Sequence, residues 1–149
     1  VRFVMVGGEV PSDPGYAARI RDEAHSIPNL TLTGRVPQED VAKILGEASV
    51  LVNTSRFEGF PNAFLEAWAA GVPVVSLVDV DDVLARERVG VVCDDVEGLA
   101  RELGGLMDEP ARLRAMGQRA RGLVERCYGA DVLGPQYLQY FSELLSAGS

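Results

Sequence analysis

The chain has 149 residues, 47% apolar and 24% charged, with a formal charge of −8. This is the make-up of one soluble globular domain long enough to bury a core. It excludes a basic nucleic-acid surface and matches anionic membranes poorly, and no apolar run nears the ~18 residues of a spanning helix. No signal peptide is visible. Cys93 and Cys127 lack a second pair for a metal site. They read as buried or idle thiols in a reducing, cytoplasmic compartment, not as a disulfide.

The chain opens on Val1-Arg2-Phe3-Val4-Met5-Val6, a pattern that predicts a buried parallel strand ended by Gly7-Gly8. Asp13-Pro14 predicts a helix start, Asp as N-cap and Pro at the first helical position, with the helix running to about Ile27 before Pro28. His25, the sole histidine, falls near that helix's end and reads as structural. Leu30 to Thr33 predicts a second strand and Gly34-Arg35-Val36 a turn above it; a helix follows from near Pro37 to about Ala48. Val50 to Asn53 is the third predicted strand.

The next stretch organises the rest: Ser55-Arg56-Phe57-Glu58-Gly59-Phe60-Pro61-Asn62-Ala63-Phe64-Leu65-Glu66-Ala67, then Gly71-Val72-Pro73-Val74-Val75-Ser76. A strand runs into a polar loop, Pro61 opens a helix, Gly-Val-Pro closes it, and a new strand begins. The loop therefore lies at the carboxyl end of a strand, where open α/β sheets bind ligands. Glu58 belongs to the loop and Glu66 to about the first turn and a half of the helix, so both can look into one crevice. Between them lie free amides of a helix N-terminus, which favour an anion such as phosphate. Carboxylates for hydroxyls beside amides for phosphate suit a sugar nucleotide. Taken alone, two acids near a helix start also serve as dipole complements. Arg56 reads as a solvated arginine. Phe60, Phe64 and Trp68 recur at helical spacing and predict core packing rather than sugar stacking.

After Val74 to Leu77, Asp79-Val80-Asp81-Asp82 contains an Asp-x-Asp of the kind that can hold a divalent cation. Here Asp81 or Asp82 serves as N-cap of a Val83-to-Arg88 helix, and no metal is expected. Gly90 to Cys93 predicts the last strand. Val96 to Met107 predicts a helix weakened by Gly98, Gly104 and Gly105 at about 1 kcal/mol each. Pro110 opens another helix as far as Cys127-Tyr128, and an apolar, aromatic helix follows from Asp131.

From Glu58 to Val75 the sequence closely resembles the signature of the family 4 glycosyltransferases of the GT-B fold, and the resemblance runs from Val1 to about Tyr140. It implies a retaining enzyme that takes a nucleotide-diphosphate sugar as donor, needs no metal or other cofactor, and works in the cleft between two Rossmann-like domains. It implies that Glu58 contacts hydroxyls of the donor sugar, as the catalytic acidic residue, and that Glu66 contacts the ribose. Backbone from Gly59 through Phe60 and Pro61 to Asn62 would approach sugar or phosphate oxygens, and Gly34, Arg35 and Val36 would pack along the nucleobase. Many members carry a Gly-Gly turn followed by Glu where this chain has the Asp79–Asp82 run, a departure at that loop.

Relative to the family pattern, the acceptor domain and the first strand–helix unit of the donor domain are absent, so residues 1–149 read as a partial C-terminal nucleotide-sugar-binding domain. Strands alternating with helices predict an α/β fold with a Rossmann-like, doubly wound parallel sheet. The absent strand would stand beside both Val1–Val6 and Val50–Asn53, so the sheet must close a gap, expose two edges or borrow a strand; a homodimer is the expected partner of such edges. A missing N-terminal domain could also supply basic groups for peripheral membrane contact. Two other functions remain open: a non-hydrolysing sugar-nucleotide epimerase of the same fold, and a non-catalytic nucleotide-sugar-binding module.

Overall fold

The computed structural model describes residues 1–8 and 12–147. It is a mixed α/β structure whose paired strands are all parallel, and it divides into two compact units, residues 1–44 and residues 45–149.

In the first unit β1 (Phe3–Val6) pairs with β2 (Leu30–Gly34), and α1 (Pro14–His25) joins them. Asp13 starts α1 as the sequence predicts: its carboxylate accepts a hydrogen bond from the Tyr16 amide at 2.9 Å, with Pro14 in the first turn. His25 closes the helix, Nδ1 lying 2.6 Å from the Arg21 carbonyl oxygen, in keeping with its structural reading. The prediction that β1 is buried is corrected. Phe3, Val4, Met5 and Val6 are 37–51% exposed. Among the described residues β1 has a strand on one edge only, and apolar composition alone does not complete the cover of its side chains. α2 (Gln38–Glu47) carries the chain across the unit boundary.

The second unit holds the core. β3 (Leu51–Asn53), β4 (Val74–Ser76) and β5 (Gly90–Val92) form a separate parallel sheet in the order β3-β4-β5. β4 is central and wholly buried, which explains its unbroken Val-Val-Ser run. With β1 and β3 in different sheets, one edge of each has no strand partner among the described residues.

α3 (Asn62–Ala69) buries Phe64, Ala67 and Trp68, as their helical spacing predicts. The helix ends where Gly71 adopts φ 76°, with the Gly71 amide donating to the Trp68 carbonyl and the Val72 amide to that of Ala67. These two bonds make a Schellman cap, and its left-handed residue favours glycine. α5 (Val96–Met107) is capped by Asp95, whose carboxylate accepts from the Gly98 amide at 2.6 Å, and runs unbroken through its glycines. α6 (Pro110–Cys127) has Pro110 in its first turn, and α7 (Ala130–Ala147) follows. On α7, Tyr137, Leu138, Phe141, Leu144 and Leu145 are exposed.

α3 approaches α6 closely because two glycines meet. A Cβ on Gly117 would lie only 2.1 Å from the Gly71 carbonyl oxygen, whereas one on Gly104 would meet nothing within 4 Å. Opposite signs follow in urea unfolding. Gly117→Ala should destabilise by about 1–3 kcal/mol through overpacking. Gly104→Ala, on the exposed side of α5, should stabilise by about 0.5–1 kcal/mol through helix propensity.

Candidate functional site at the carboxyl end of β3

Beyond Asn53 the chain leaves the sheet into the glutamate loop. The Asn53 side-chain oxygen accepts from the Ser55 amide at 2.7 Å, which bends the backbone out of the strand. At the loop's other end Phe60 packs on Trp68 (ring centroids 6.2 Å) and on Tyr128 (5.6 Å). Pro61, extended at φ −68° and ψ 120°, is the residue before α3. The expected start is thus corrected by one position: Pro61 caps the helix and Asn62 begins it, because Pro61 holds an extended ψ.

Inside this frame lies a pocket of about 280 Å³. Asn53, Thr54 and Glu58 supply its polar lining, and Leu51, Val52, Pro61, Ala63 and Phe64 its apolar lining. Glu58 is exposed at the rim, with its carboxylate available to hydroxyls. The helix start contributes amides: Phe64 N–H turns to the Pro61 carbonyl at 3.0 Å, and first-turn amides such as those of Asn62 and Ala63 lack intrahelical acceptors. The dipole of α3 favours negative charge at the same place.

Gly59, like Gly104, is under no steric demand to be glycine. Its φ lies outside the left-handed region, and an added Cβ would meet nothing within 4 Å. The fold does not require glycine there, and a methyl group at this position would stand in open space.

Of the expected site residues, Glu58 and Pro61 line this pocket. Glu66 is half-buried one turn further along α3 and is not among the lining residues. Gly59 and Asn62 are exposed beside the pocket, and Phe60 is half-buried in the aromatic contacts described. Gly34, Arg35 and Val36 belong to the first unit. There Gly34 has φ 68°, so its turn favours glycine for backbone reasons, while Arg35 is exposed and Val36 half-buried. Sequence reasoning missed Asn53 and Thr54; the signal was an Asn at the exact end of an apolar strand, where a side-chain-to-backbone turn forms.

The Asp79–Asp82 loop corrects a second expectation. Neither Asp81 nor Asp82 caps the next helix, α4 (Val83–Glu87), with its side chain. Asp79 does: its two carboxylate oxygens accept from the Leu84 amide at 2.8 Å and the Ala85 amide at 3.1 Å. Asp81 and Asp82 both stand at φ 55° in a 3-10 turn (Val80–Asp82). The amides at the helix start are answered by Asp79 and not by this left-handed pair. The loop takes the backbone that a Gly-Gly pair adopts readily, but builds it with aspartates.

Both cysteines are free. Neither forms a disulfide, as the sequence reading expects; Cys93 is half-buried and Cys127 exposed. Burial, reinforced by the carboxylates of Glu102, Asp94 and Asp95 and opposed by Arg101, pushes the Cys93 thiol above its ordinary pKa. Burial likewise raises Tyr128.

Residues 1–109 match the glycosyl transferases group 1 family, a span that includes both glutamates and the Gly34 turn. The chain belongs to this family. Among relatives, it is 31% identical to an exopolysaccharide phosphotransferase of Streptomyces coelicolor, over 92% of this chain and 16% of that protein. It is 29% identical to a GDP-mannose-dependent monoacylated α-(1-6)-phosphatidylinositol monomannoside mannosyltransferase of Corynebacterium glutamicum, over 80% of this chain and 34% of that protein. Among solved structures, sucrose-phosphate synthase from Thermosynechococcus elongatus superposes with a TM-score of 0.81 at 24% identity, over 97% of this chain and 38% of that one. That likeness supports the Rossmann-like, GT-B-type α/β fold expected from the sequence. The chain spans about a third or less of the two curated relatives. No helix among the described residues is long and apolar enough to cross a membrane.

Two measurements check the loop and the thiols. Asp79→Ala should cost about 0.5–2 kcal/mol as a lost helix cap, whereas Asp81→Gly and Asp82→Gly should each stabilise by up to about 1 kcal/mol by relieving a left-handed backbone. In a timed alkylation at pH 8, mass spectrometry should find Cys127 modified well before Cys93.

Proposed function

We propose that this chain is the donor-binding half of a retaining glycosyltransferase that takes a nucleotide-diphosphate sugar. One observation carries the reading: a pocket at the carboxyl end of β3 sets the Glu58 carboxylate at its rim against the N-terminus of α3. A carboxylate accepts from sugar hydroxyls, and a helix start answers the charge of a diphosphate, so together they suit the two ends of such a donor. Family membership supports the reaction class, and the donor named for the mannosyltransferase relative supports the donor class.

In this reading Glu58 holds hydroxyls of the donor sugar. The backbone from Gly59 to Asn62 approaches sugar or phosphate oxygens, with Phe60 and Pro61 fixing its path. Glu66 serves the ribose, and Gly34, Arg35 and Val36 flank the base. As the glycosidic bond to phosphate breaks, negative charge builds on the departing diphosphate, and the start of α3 helps offset it. No metal is required for that role. The remainder of a longer protein supplies the acceptor site, and the chain alone binds donor weakly without turnover.

The test is thermal unfolding with a panel of nucleoside diphosphates and nucleotide sugars, with and without Mn²⁺, on wild type, Glu58→Gln and Gly59→Ala. One nucleotide sugar should raise Tm equally with and without metal; at about 100 times its Kd the stabilisation amounts to about 2.7 kcal/mol. Gly59→Ala should unfold within a degree or two of wild type without ligand, yet lose most of the shift, as should Glu58→Gln. A shift that depends on Mn²⁺ would overturn the metal-free reading. Full shifts in both variants would remove the pocket from the donor site.

A further inference from the structure

Phe57 is 91% exposed, the most exposed of the large apolar side chains among the described residues. It does not sit on a loose segment. The Asn53–Ser55 hydrogen bond holds the loop two residues before it, and the Phe60 contacts with Trp68 and Tyr128 hold it three residues after. Of the loop's two phenylalanines, one is therefore the anchor and the other is held out in water. An exposed phenyl ring contributes nothing to folding and lacks the polar tip with which Tyr or Trp would meet solvent.

What lies beside the ring indicates what would cover it. Phe57 itself is outside the pocket lining, but the next residue, about 3.8 Å on between Cα atoms, is Glu58, which lines it. At about 280 Å³ the pocket is at the small end of ligand cavities, near the size of one sugar ring rather than a whole nucleotide sugar. A pyranose has equatorial hydroxyls around its edge and a face of C–H groups. A carboxylate matches the first and an aromatic ring the second.

We propose that Phe57 is a specificity-determining residue that stacks on the C–H face of a pyranose ring whose hydroxyls meet Glu58. The proposal rests on the donor-binding reading for Glu58 and adds a residue to it. The ring belongs either to the donor's glycosyl group or to a sugar of the acceptor, with the same chemistry in both cases.

Saturation-transfer NMR on the chain tests it, with UDP-glucose, GDP-mannose, plain UDP and GDP, and the methyl α-glycosides of glucose and mannose as probes. The variants are Phe57→Ala, Phe57→Leu and Phe57→Trp, with Glu58→Gln as control. Phe57→Ala should keep its Tm and weaken a sugar-bearing probe about fivefold while leaving plain nucleotides unchanged. Phe57→Leu should weaken it nearly as much, and Phe57→Trp should restore it. Weakening confined to nucleotide sugars places the ring on the donor; weakening confined to methyl glycosides places it on the acceptor. If Phe57→Ala binds every probe as wild type does while Glu58→Gln does not, the proposal falls and the donor reading stands. If Phe57→Leu matches wild type, the side chain is an apolar cover and stacking is refuted. Wild type that binds no probe removes both.

Discussion

The position of the glutamate loop depends on how the underside of α3 is buried. Phe64, Ala67 and Trp68 have no exposed surface, and the Gly71–Gly117 approach allows α6 to close over the helix. With its axis fixed in this way, the start of α3 has one place to go, the carboxyl end of β3. The packing has a local cost. Trp68 Nε1 is buried and finds no acceptor among the described residues, worth about 1–3 kcal/mol. Burial of an aromatic of this size returns roughly 4–6 kcal/mol, so the indole remains favourable even with its N–H unanswered.

Most of the architecture was legible because the punctuating residues are unambiguous. Asp13-Pro14 and Pro110 start helices where they stand, and Gly71 ends one through a Schellman cap. Glu58, which lines the pocket, was legible as a candidate because its loop follows a strand and precedes a helix. What escaped depended on three-dimensional neighbours. The residues of β1 read the same whether covered or bare, since periodicity reports what a strand prefers to touch and not what is there. The side-chain cap of α4 comes from Asp79 and not from either aspartate nearer the helix, a placement no local pattern encodes. Glu66 shares the loop's motif but lies a turn beyond the pocket lining, a displacement smaller than sequence spacing can resolve.

The two anion-friendly elements of the second unit are used differently. Asp79 satisfies α4 internally, closing two of its amides to any outside group. The amides at the start of α3 have no such side chain, and Pro61 contributes none. The contrast gives one structural and one open helix start around the same β4-centred sheet. Formal negative charge on the chain as a whole is no obstacle to holding a phosphate, because the positive ends that matter are backbone dipoles rather than side chains.

The two units also differ in depth. Among the described residues, Ala17 and Ala24 are the buried apolar residues of the first unit; the large buried side chains all belong to the second. A core of alanines resists local opening weakly, so amide protons of β1 and β2 would exchange with solvent through small fluctuations while those of β4 wait for global unfolding. Every residue lining the pocket comes from the second unit. The chain thus keeps its rigid, slowly exchanging matter under the glutamate pocket and its soft matter at the Gly34 turn.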